Sequence, residues 1–194
     1  SYPAHVYFGK GALANALKAE LPAGAKKVLL AYGGGSIKKN GIYEEVTGLL
    51  QELGKEVVEF TGIMSNPTYA KVQEGAKLAK ENAVDYILAV GGGSVIDCCK
   101  IVAAQAKTDK DLWEMEFVDH QFPQEALPMG AVVTASGTGA EMNGGAVITN
   151  EAVTVKAGMG AAAPRFAVLD PAYTLSVPRM QVLSGAFDTL SHAM

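Results

Sequence analysis

The chain has 194 residues, of which 49% are hydrophobic and 19% are charged, and it includes 22 glycines. This length is sufficient for a sizeable buried core, and the even spread of apolar residues excludes a disordered chain. The formal net charge of -4, without a basic cluster, argues against a nucleic-acid-binding protein.

The only cysteines, Cys98 and Cys99, are adjacent in the sequence, a spacing that rarely permits a disulfide between them. We expect both to pack inside a helix, in a protein from a reducing compartment. No apolar stretch approaches the ~20 residues of a membrane-spanning helix, and the first residues lack the pattern of a signal peptide. These features predict a cytoplasmic protein that has no membrane partner.

Short apolar runs alternate with helical patterns along most of the chain. The predicted strands are residues 28–32, 57–60, 86–90, 129–134 and 166–169. Helical spacing predicts helices at 42–53, 69–82 and 95–106, and a hairpin is predicted from strands 146–149 and 153–156. A strand, a glycine turn, a helix and another strand form a βαβ unit, which implies a parallel sheet with helices on both faces. We therefore predict an α/β fold with a Rossmann-like parallel sheet flanked by helices.

A further helical pattern begins at Pro178 and continues to Met194 without a capping residue or a helix breaker. We therefore predict an α/β domain at 1–177 and the first helix of an all-helical C-terminal domain at 178–194. A helix that stops in this way favours a chain that continues in a longer parent protein.

A glycine cluster at residues 91–94 follows an apolar strand and precedes a helix. Glycine lets the backbone approach a ligand closely, and the free N–H groups at a helix start attract an anion. Gly92, Gly93 and Ser94 therefore form a candidate diphosphate cradle, with Asp97 in the first turn of the helix. The alternative is a tight turn that binds no ligand.

A second cluster, residues 33–36, follows the first predicted strand and precedes two lysines. An acidic residue is expected near such a turn when a dinucleotide holds its adenosine ribose through free hydroxyls. The first carboxylate after the turn is Glu44. The turn instead offers backbone N–H groups, a hydroxyl and positive charge from Gly34, Gly35, Ser36 and Lys39. These donors suit a 2′-phosphate, and the alternative is a solvent-exposed turn.

Hydroxyl groups and glycines alternate in a third turn, residues 134–141, after another predicted strand. Small residues with clustered donors can line a ligand. The same pattern is common in turns that lead into a helix, so the residues alone leave both interpretations open.

Asp188 and His192 lie four residues apart in the last predicted helix. This spacing places a carboxylate and an imidazole on one face of a helix, where one metal ion can bind both. Oxygen and nitrogen ligands suit zinc or iron(II). A hydrogen bond between the two side chains on a helix surface is the alternative.

In chain order, these motifs resemble those of the iron-containing (group III) alcohol dehydrogenases, and most of all the NADPH-dependent butanol dehydrogenase branch. The matching segments are residues 33–36, 65–68, 91–97, 134–141, 170–171 and 188–192. Each segment alone is a weak indicator of the family, but the occurrence of all six in this order is specific. Together they extend over essentially the whole chain.

The resemblance implies that the domain at 1–177 binds a dinucleotide and that one aspartate and three histidines hold a divalent metal. Asp188 and His192 would be the first two ligands and thus part of the catalytic centre. Gly92, Gly93, Ser94 and Asp97 would hold the diphosphate and the nicotinamide ribose side. The remaining contacts implied for the cofactor are Thr134 and Thr138 along it, Asn66 near the adenosine and Lys156 at the nicotinamide ribose.

The reaction implied by the resemblance is hydride transfer between NADP(H) and a primary alcohol or aldehyde, with Fe2+, or else Zn2+, at the substrate oxygen. The full-length enzyme would be a homodimer, whereas the chain alone, without the other two metal ligands, would be inactive. The alternatives are an NAD-binding relative such as a glycerol dehydrogenase or a dehydroquinate synthase, and a nucleotide-binding fragment without catalysis.

Overall fold

The computed structural model describes residues 4–135 and 139–174. Within these ranges the strands are β1 (His5–Phe8), β2 (Lys27–Ala31), β3 (Glu56–Phe60), β4 (Tyr86–Gly91), β5 (Met129–Val133), β6 (Gly145–Asn150), β7 (Val155–Gly160) and β8 (Phe166–Leu169). The α-helices are α1 (Ala12–Glu20), α2 (Ser36–Lys39), α3 (Ile42–Glu52), α4 (Tyr69–Glu81), α5 (Gly93–Gln105), α6 (Leu112–Phe117) and α7 (Pro171–Thr174). A short 3-10 helix spans Ala140–Met142.

Six strands form one sheet in the order β1-β8-β5-β4-β2-β3, and β6 and β7 form a separate antiparallel hairpin. Every neighbouring pair in the large sheet runs parallel. Helices cover both faces of this sheet, which confirms the predicted Rossmann-like parallel sheet.

The residues of β4 show how the large sheet is buried on both faces. Successive residues of a strand point to opposite faces, and every residue of β4 is buried. Ile87 packs with residues of α4 and α5, while Leu88 packs with residues of α1 and α3. Burial on both faces requires a continuous apolar run, and that run is why the sequence predicts this strand correctly.

The helix boundaries follow the expected capping chemistry. Thr68 is the N-cap of α4, and its hydroxyl accepts a hydrogen bond of 3.1 Å from the backbone N–H of Lys71. The chain leaves α3 through Gly54, whose φ of 71° lies in the left-handed region that glycine adopts easily. The predicted start of α4 is therefore confirmed, and α3 ends at Glu52, one residue before its predicted end.

The structure corrects the second strand of the hairpin, because the predicted strand 153–156 begins too early. The Asn150 side chain accepts a 3.1 Å hydrogen bond from the backbone N–H of Ala152, which turns the chain there. Thr154 has a φ of 56° and completes the turn, so β7 starts only at Val155. Two β-branched residues, Val153 and Thr154, favour a strand by propensity but lie in the turn.

Five of the strands and α-helices have no counterpart in the sequence prediction: β1, α1, α2, α6 and α7. Strand β1 lies at the sheet edge, where Val6 and Phe8 are 45% and 74% exposed, so the usual burial pattern is lost. The predicted helix at 178–194 and the domain boundary at 177 lie outside the described residues. None of the helices that the structure describes has both the length and the apolar character needed to cross a membrane.

Candidate cofactor site

Three turns meet at the carboxyl edge of the sheet. Strands β2, β4 and β5 are parallel neighbours, so the turns that follow them lie side by side. These are the glycine turns at 33–36 and 91–93 and the turn that begins at Thr134. Ligands of open α/β sheets bind outside the carboxyl ends of the strands, so the sheet places the three predicted motifs at one candidate site.

In the turn between β4 and α5, one glycine position has no space for a larger residue. A Cβ atom on Gly91 would lie 2.7 Å from Val95 Cγ2, so this position requires glycine. Gly92 is extended and precedes the first residue of α5, which is Gly93. The backbone N–H groups at the start of a helix carry a partial positive charge and suit a phosphate group. The backbone N–H of Thr134 donates to Gly91 O at 3.0 Å and ties the third turn to this one.

The three glycines of the first turn have different surroundings. A Cβ atom on Gly33 would lie 2.8 Å from the backbone oxygen of Ile63, so Gly33 is needed for packing. Cβ atoms on Gly34 and Gly35 would meet no described atom within 4 Å. Both glycines are exposed, as are Ser36 and Lys39, so the outer part of the turn is accessible to a ligand.

Lys38 is held by an aromatic and acidic cluster beside the first turn. Its Nζ lies 4.9 Å from the ring centroid of Tyr43 and 5.8 Å from that of Tyr32. The hydroxyls of both tyrosines donate hydrogen bonds to the carboxylate of Glu59, at the end of β3. Sequence analysis missed Glu59 because only the fold brings β3 next to β2. Its two carboxylate oxygens already have protein donors.

The hairpin β6–β7 lies against α5, and Asp97 joins the two. Asp97 Oδ2 accepts a 3.2 Å hydrogen bond from the backbone N–H of Val147, and its Oδ1 lies 3.5 Å from Lys100 Nζ. A cavity of about 340 Å³ lies beside this contact, and its lining includes Asp97, Asn143, Val147 and Met159. Asp97 therefore shapes the space between α5 and the hairpin.

The far end of the hairpin contacts the segment before α4. Lys156 Nζ donates a 3.0 Å hydrogen bond to Asn66 Oδ1, and the backbone N–H of Thr149 donates to Pro67 O at 3.0 Å. Asn66 has a φ of 54°, an uncommon conformation that points to a constrained turn. The structure thus joins two residues that the resemblance implies for different parts of a cofactor.

Two buried charged residues near the hairpin were missed by sequence analysis. Lys100 is fully buried, and burial lowers its pKa while the nearby Asp97 opposes that effect. Glu116 is 6% exposed, and burial raises its pKa while the N–H of Gly160 opposes that effect. The one available signal for Lys100 was its position in an otherwise apolar stretch of α5.

Comparison with known proteins decides the family. The chain matches the family model of iron-containing alcohol dehydrogenases over residues 3–171. The chain belongs to the iron-containing alcohol dehydrogenase family.

Several members of this family are similar to the chain. The chain is 46% identical over 192 residues to a probable NADH-dependent butanol dehydrogenase 2 of Bacillus subtilis, covering 98% of this chain and 49% of that protein. It is 41% identical to the NADPH-dependent aldehyde reductase YqhD of Escherichia coli, covering 99% of this chain and 50% of that protein. The chain spans about half the length of the curated relatives that it matches.

A solved structure supports the same fold. A structure described as NADH-dependent butanol dehydrogenase A of Thermotoga maritima matches with a TM-score of 0.86 and 42% identity. The match covers 99% of this chain and 48% of that one. The resemblance to iron-containing alcohol dehydrogenases is therefore confirmed.

Some of the residues implied by the family lie outside the described residues, namely Thr138, Asp188 and His192. Within residues 4–135 and 139–174, no group of three or more histidine, cysteine, aspartate or glutamate side chains is placed to hold a metal ion.

The two cysteines of the chain pack in the core. Cys98 and Cys99 are both buried and free. Burial raises the pKa of Cys98 to about 12, with a smaller opposing effect of Lys71, and burial also raises the pKa of Cys99. The expectation that both cysteines pack inside a helix is therefore confirmed.

Proposed function

We propose that the protein containing this chain transfers a hydride between a nicotinamide dinucleotide and a primary alcohol or aldehyde. The observation that carries this proposal is the convergence of the three turns at the carboxyl edge of the sheet. Relatives named as butanol dehydrogenases and an aldehyde reductase support the substrate class.

The proposed cofactor contacts follow from the geometry of the three turns. The diphosphate binds at the start of α5, where the N–H groups of Gly92, Gly93 and Ser94 meet it with the positive end of the helix dipole. Thr134 is proposed to line the cofactor, and Thr138, which lies outside the described residues, is proposed on the family resemblance alone. Support for this placement comes from the N-terminus of α5, where Gly92 is the N-cap and no side-chain hydrogen bond caps the helix within the described part of the chain.

The nicotinamide half is proposed to lie toward the hairpin. Asp97 borders the cavity between α5 and the hairpin, and Lys156 lies on β7. Lys156 and Asn66 are in contact, so one ligand group is within reach of both side chains.

We propose that the cofactor is NADP(H), bound through Gly34, Gly35, Ser36 and Lys39. Since the aromatic rings of Tyr32 and Tyr43 hold Lys38, Lys39 is the lysine of this turn left to meet a phosphate. The names of the relatives include both NADH and NADPH, so this part of the proposal rests on the chemistry of the turn.

We propose Asp188 and His192 as two ligands of a divalent metal, Fe2+ or Zn2+. A carboxylate and an imidazole at this spacing suit either ion. The bound metal would polarise the oxygen of the alcohol or aldehyde. The glycine turns would orient the nicotinamide for hydride transfer.

The proposed assembly is a homodimer in the cytoplasm. Within the described part of the chain, β1 pairs with β8 on one side, and its other edge carries the exposed Val6 and Phe8. An apolar sheet edge is a site at which a second copy can dock. Two buried free thiols are typical of a reducing compartment.

The test is a steady-state assay of the full-length enzyme, loaded with Fe2+ or Zn2+, against a panel of aldehydes with NADPH and NADH. We expect aldehyde-dependent oxidation of the reduced cofactor, which is lost on metal removal. Nucleotide binding without turnover by the metal-loaded protein would instead support a non-catalytic nucleotide-binding role.

A further inference from the structure

The open end of the hairpin is held on both strands by buried charged side chains. Gly145 of β6 and Gly160 of β7 are paired at this end. Lys100 Nζ donates a 2.8 Å hydrogen bond to the carbonyl oxygen of Gly145. Glu116 Oε1 accepts a 2.7 Å hydrogen bond from the backbone N–H of Gly160. One helix thus holds each strand, α5 through Lys100 and α6 through Glu116.

Both charged side chains are buried, and among the described residues only Lys100 has an ion-pair partner. The nearest carboxylate to Lys100 is that of Asp97 at 3.5 Å, and the other strong contact of Lys100 is Asn143 Oδ1 at 2.9 Å. Glu116 Oε2 has no hydrogen-bond partner within the same part of the chain. Burying a charged group costs solvation free energy even when the group is paired, and apolar side chains of similar size often pack at no greater cost. These two charged groups therefore contribute something other than packing.

The backbone at the open end of the hairpin is closely packed. A Cβ atom on Gly144 would lie 2.3 Å from the backbone oxygen of Ala161, and one on Gly160 would lie 2.7 Å from the ring of Phe122. Such close contacts leave little room for the two strands to shift at this end of the hairpin.

The hairpin also forms one wall of the cavity beside Asp97. Gly145, Val147 and Met159 of the hairpin line this cavity together with Asp97 of α5. Residues that fix the open end of the hairpin therefore fix the width of the cavity.

We propose that Lys100 and Glu116 are positioning residues that hold the hairpin at the distance from α5 that the nicotinamide half of a dinucleotide requires. This inference rests on the proposed cofactor-binding function. Lys100 is fully buried and Glu116 nearly so, and both act through the backbone of Gly145 and Gly160.

The experiment compares matched variants of the full chain. Lys100→Met and Glu116→Leu remove the hydrogen bonds at similar side-chain volume, whereas Glu116→Gln keeps an acceptor for the N–H of Gly160. Lys107→Met removes an exposed lysine just after α5 and serves as the control. Two quantities are measured: amide hydrogen exchange at 145–148 and 158–160 without nucleotide, and the Kd for NADPH against that for adenosine 2′,5′-bisphosphate.

We expect Lys100→Met and Glu116→Leu to speed exchange in the hairpin and to weaken NADPH binding by about tenfold, the effect of one lost buried hydrogen bond. Affinity for the bisphosphate, which lacks the nicotinamide half, should not change. Glu116→Gln and Lys107→Met should behave as the parent does. If Lys100→Met fails to fold, the comparison of Glu116→Leu with Glu116→Gln decides the question.

Unchanged exchange and unchanged NADPH affinity in Glu116→Leu would overturn the inference. Equal weakening of both nucleotides in that variant would overturn it as well, since it would indicate a general loss of structure. If the parent protein binds neither nucleotide, the proposed function fails, and the exchange measurement still shows whether these residues hold the hairpin.

Discussion

Replacing Gly34 by aspartate should reverse the cofactor preference of the full-length enzyme. We expect the parent to favour NADPH over NADH by about tenfold or more in kcat/KM, because a charge-assisted hydrogen bond to a phosphate contributes roughly 1.5–3 kcal/mol. Gly34→Asp is compatible with the fold, since a Cβ atom there meets no described atom within 4 Å. The new carboxylate would repel a 2′-phosphate and accept from a free 2′-hydroxyl.

The size of the reversal follows from these two effects. At a separation of about 5 Å in a solvent-exposed turn, repulsion of a doubly charged phosphate costs about 1–2 kcal/mol. A hydrogen bond from a ribose hydroxyl to the carboxylate contributes about 1.5–3 kcal/mol to NADH binding. Even about 2 kcal/mol in total changes the ratio roughly 30-fold, which is enough to reverse a tenfold preference.

The assay is kcat/KM for both cofactors at saturating aldehyde, with Gly24→Asp as the control. Gly24 is exposed, precedes β2 at the opposite edge of the sheet, and also has open space around its Cβ position. The Gly24→Asp variant adds the same charge far from the turn and should leave the cofactor preference unchanged. An unchanged preference in Gly34→Asp would show that this turn does not contact the 2′ position.

Three further predictions concern stability and catalysis. Gly33→Ala should lower the free energy of unfolding by about 1–3 kcal/mol in urea titrations, because its Cβ would meet the backbone of Ile63, whereas Gly34→Ala should be nearly neutral. The raised pKa of Glu116 means that its contribution to stability is complete below its ordinary value of 4.5 and is lost as pH rises through the raised pKa. Glu116→Gln does not titrate, so its stability relative to the parent should increase with pH in thermal unfolding. His192→Ala in the full-length enzyme should abolish turnover in aldehyde assays and leave the Kd for NADPH nearly unchanged.

Each of these predictions has a result that would contradict it. Equal stability of Gly33→Ala and Gly34→Ala would show that the turn relaxes around an added methyl group. A stability difference between Glu116→Gln and the parent that stays constant with pH would place Glu116 in a wetter environment. Retention of most of the kcat by His192→Ala would remove this residue from the metal site.

The helices and strands that could be predicted from sequence are those whose own residues carry a characteristic pattern. The continuous apolar run of β4 identifies a strand buried on both faces, and Thr68 identifies the start of α4 by its capping hydroxyl. Strand β1 has no such signal, because its Val6 and Phe8 lie exposed at the sheet edge. The end of the hairpin turn depends on the backbone conformation of Thr154, which opposes the strand propensity of that residue.

The residues of the candidate site also differ in whether a local sequence pattern identifies them. Each glycine turn is contiguous in sequence, so its chemistry is evident from the order of its residues alone. The contact of Lys100 with Gly145 joins residues 45 positions apart, and that of Lys156 with Asn66 joins residues 90 positions apart. No local pattern encodes such contacts, because they arise only when the sheet has brought the strands together.

The sheet order has a consequence for how this domain forms during synthesis. The edge strand β1 pairs only with β8 in the described part of the chain, and His5 lies opposite Phe166. At about 5–20 residues per second, roughly 10–30 seconds separate the translation of these partners. Until β8 has been translated, β1 lacks the partner strand that the described part of the chain gives it, so the apolar side chains of Val6 and Phe8 stay exposed on the nascent chain.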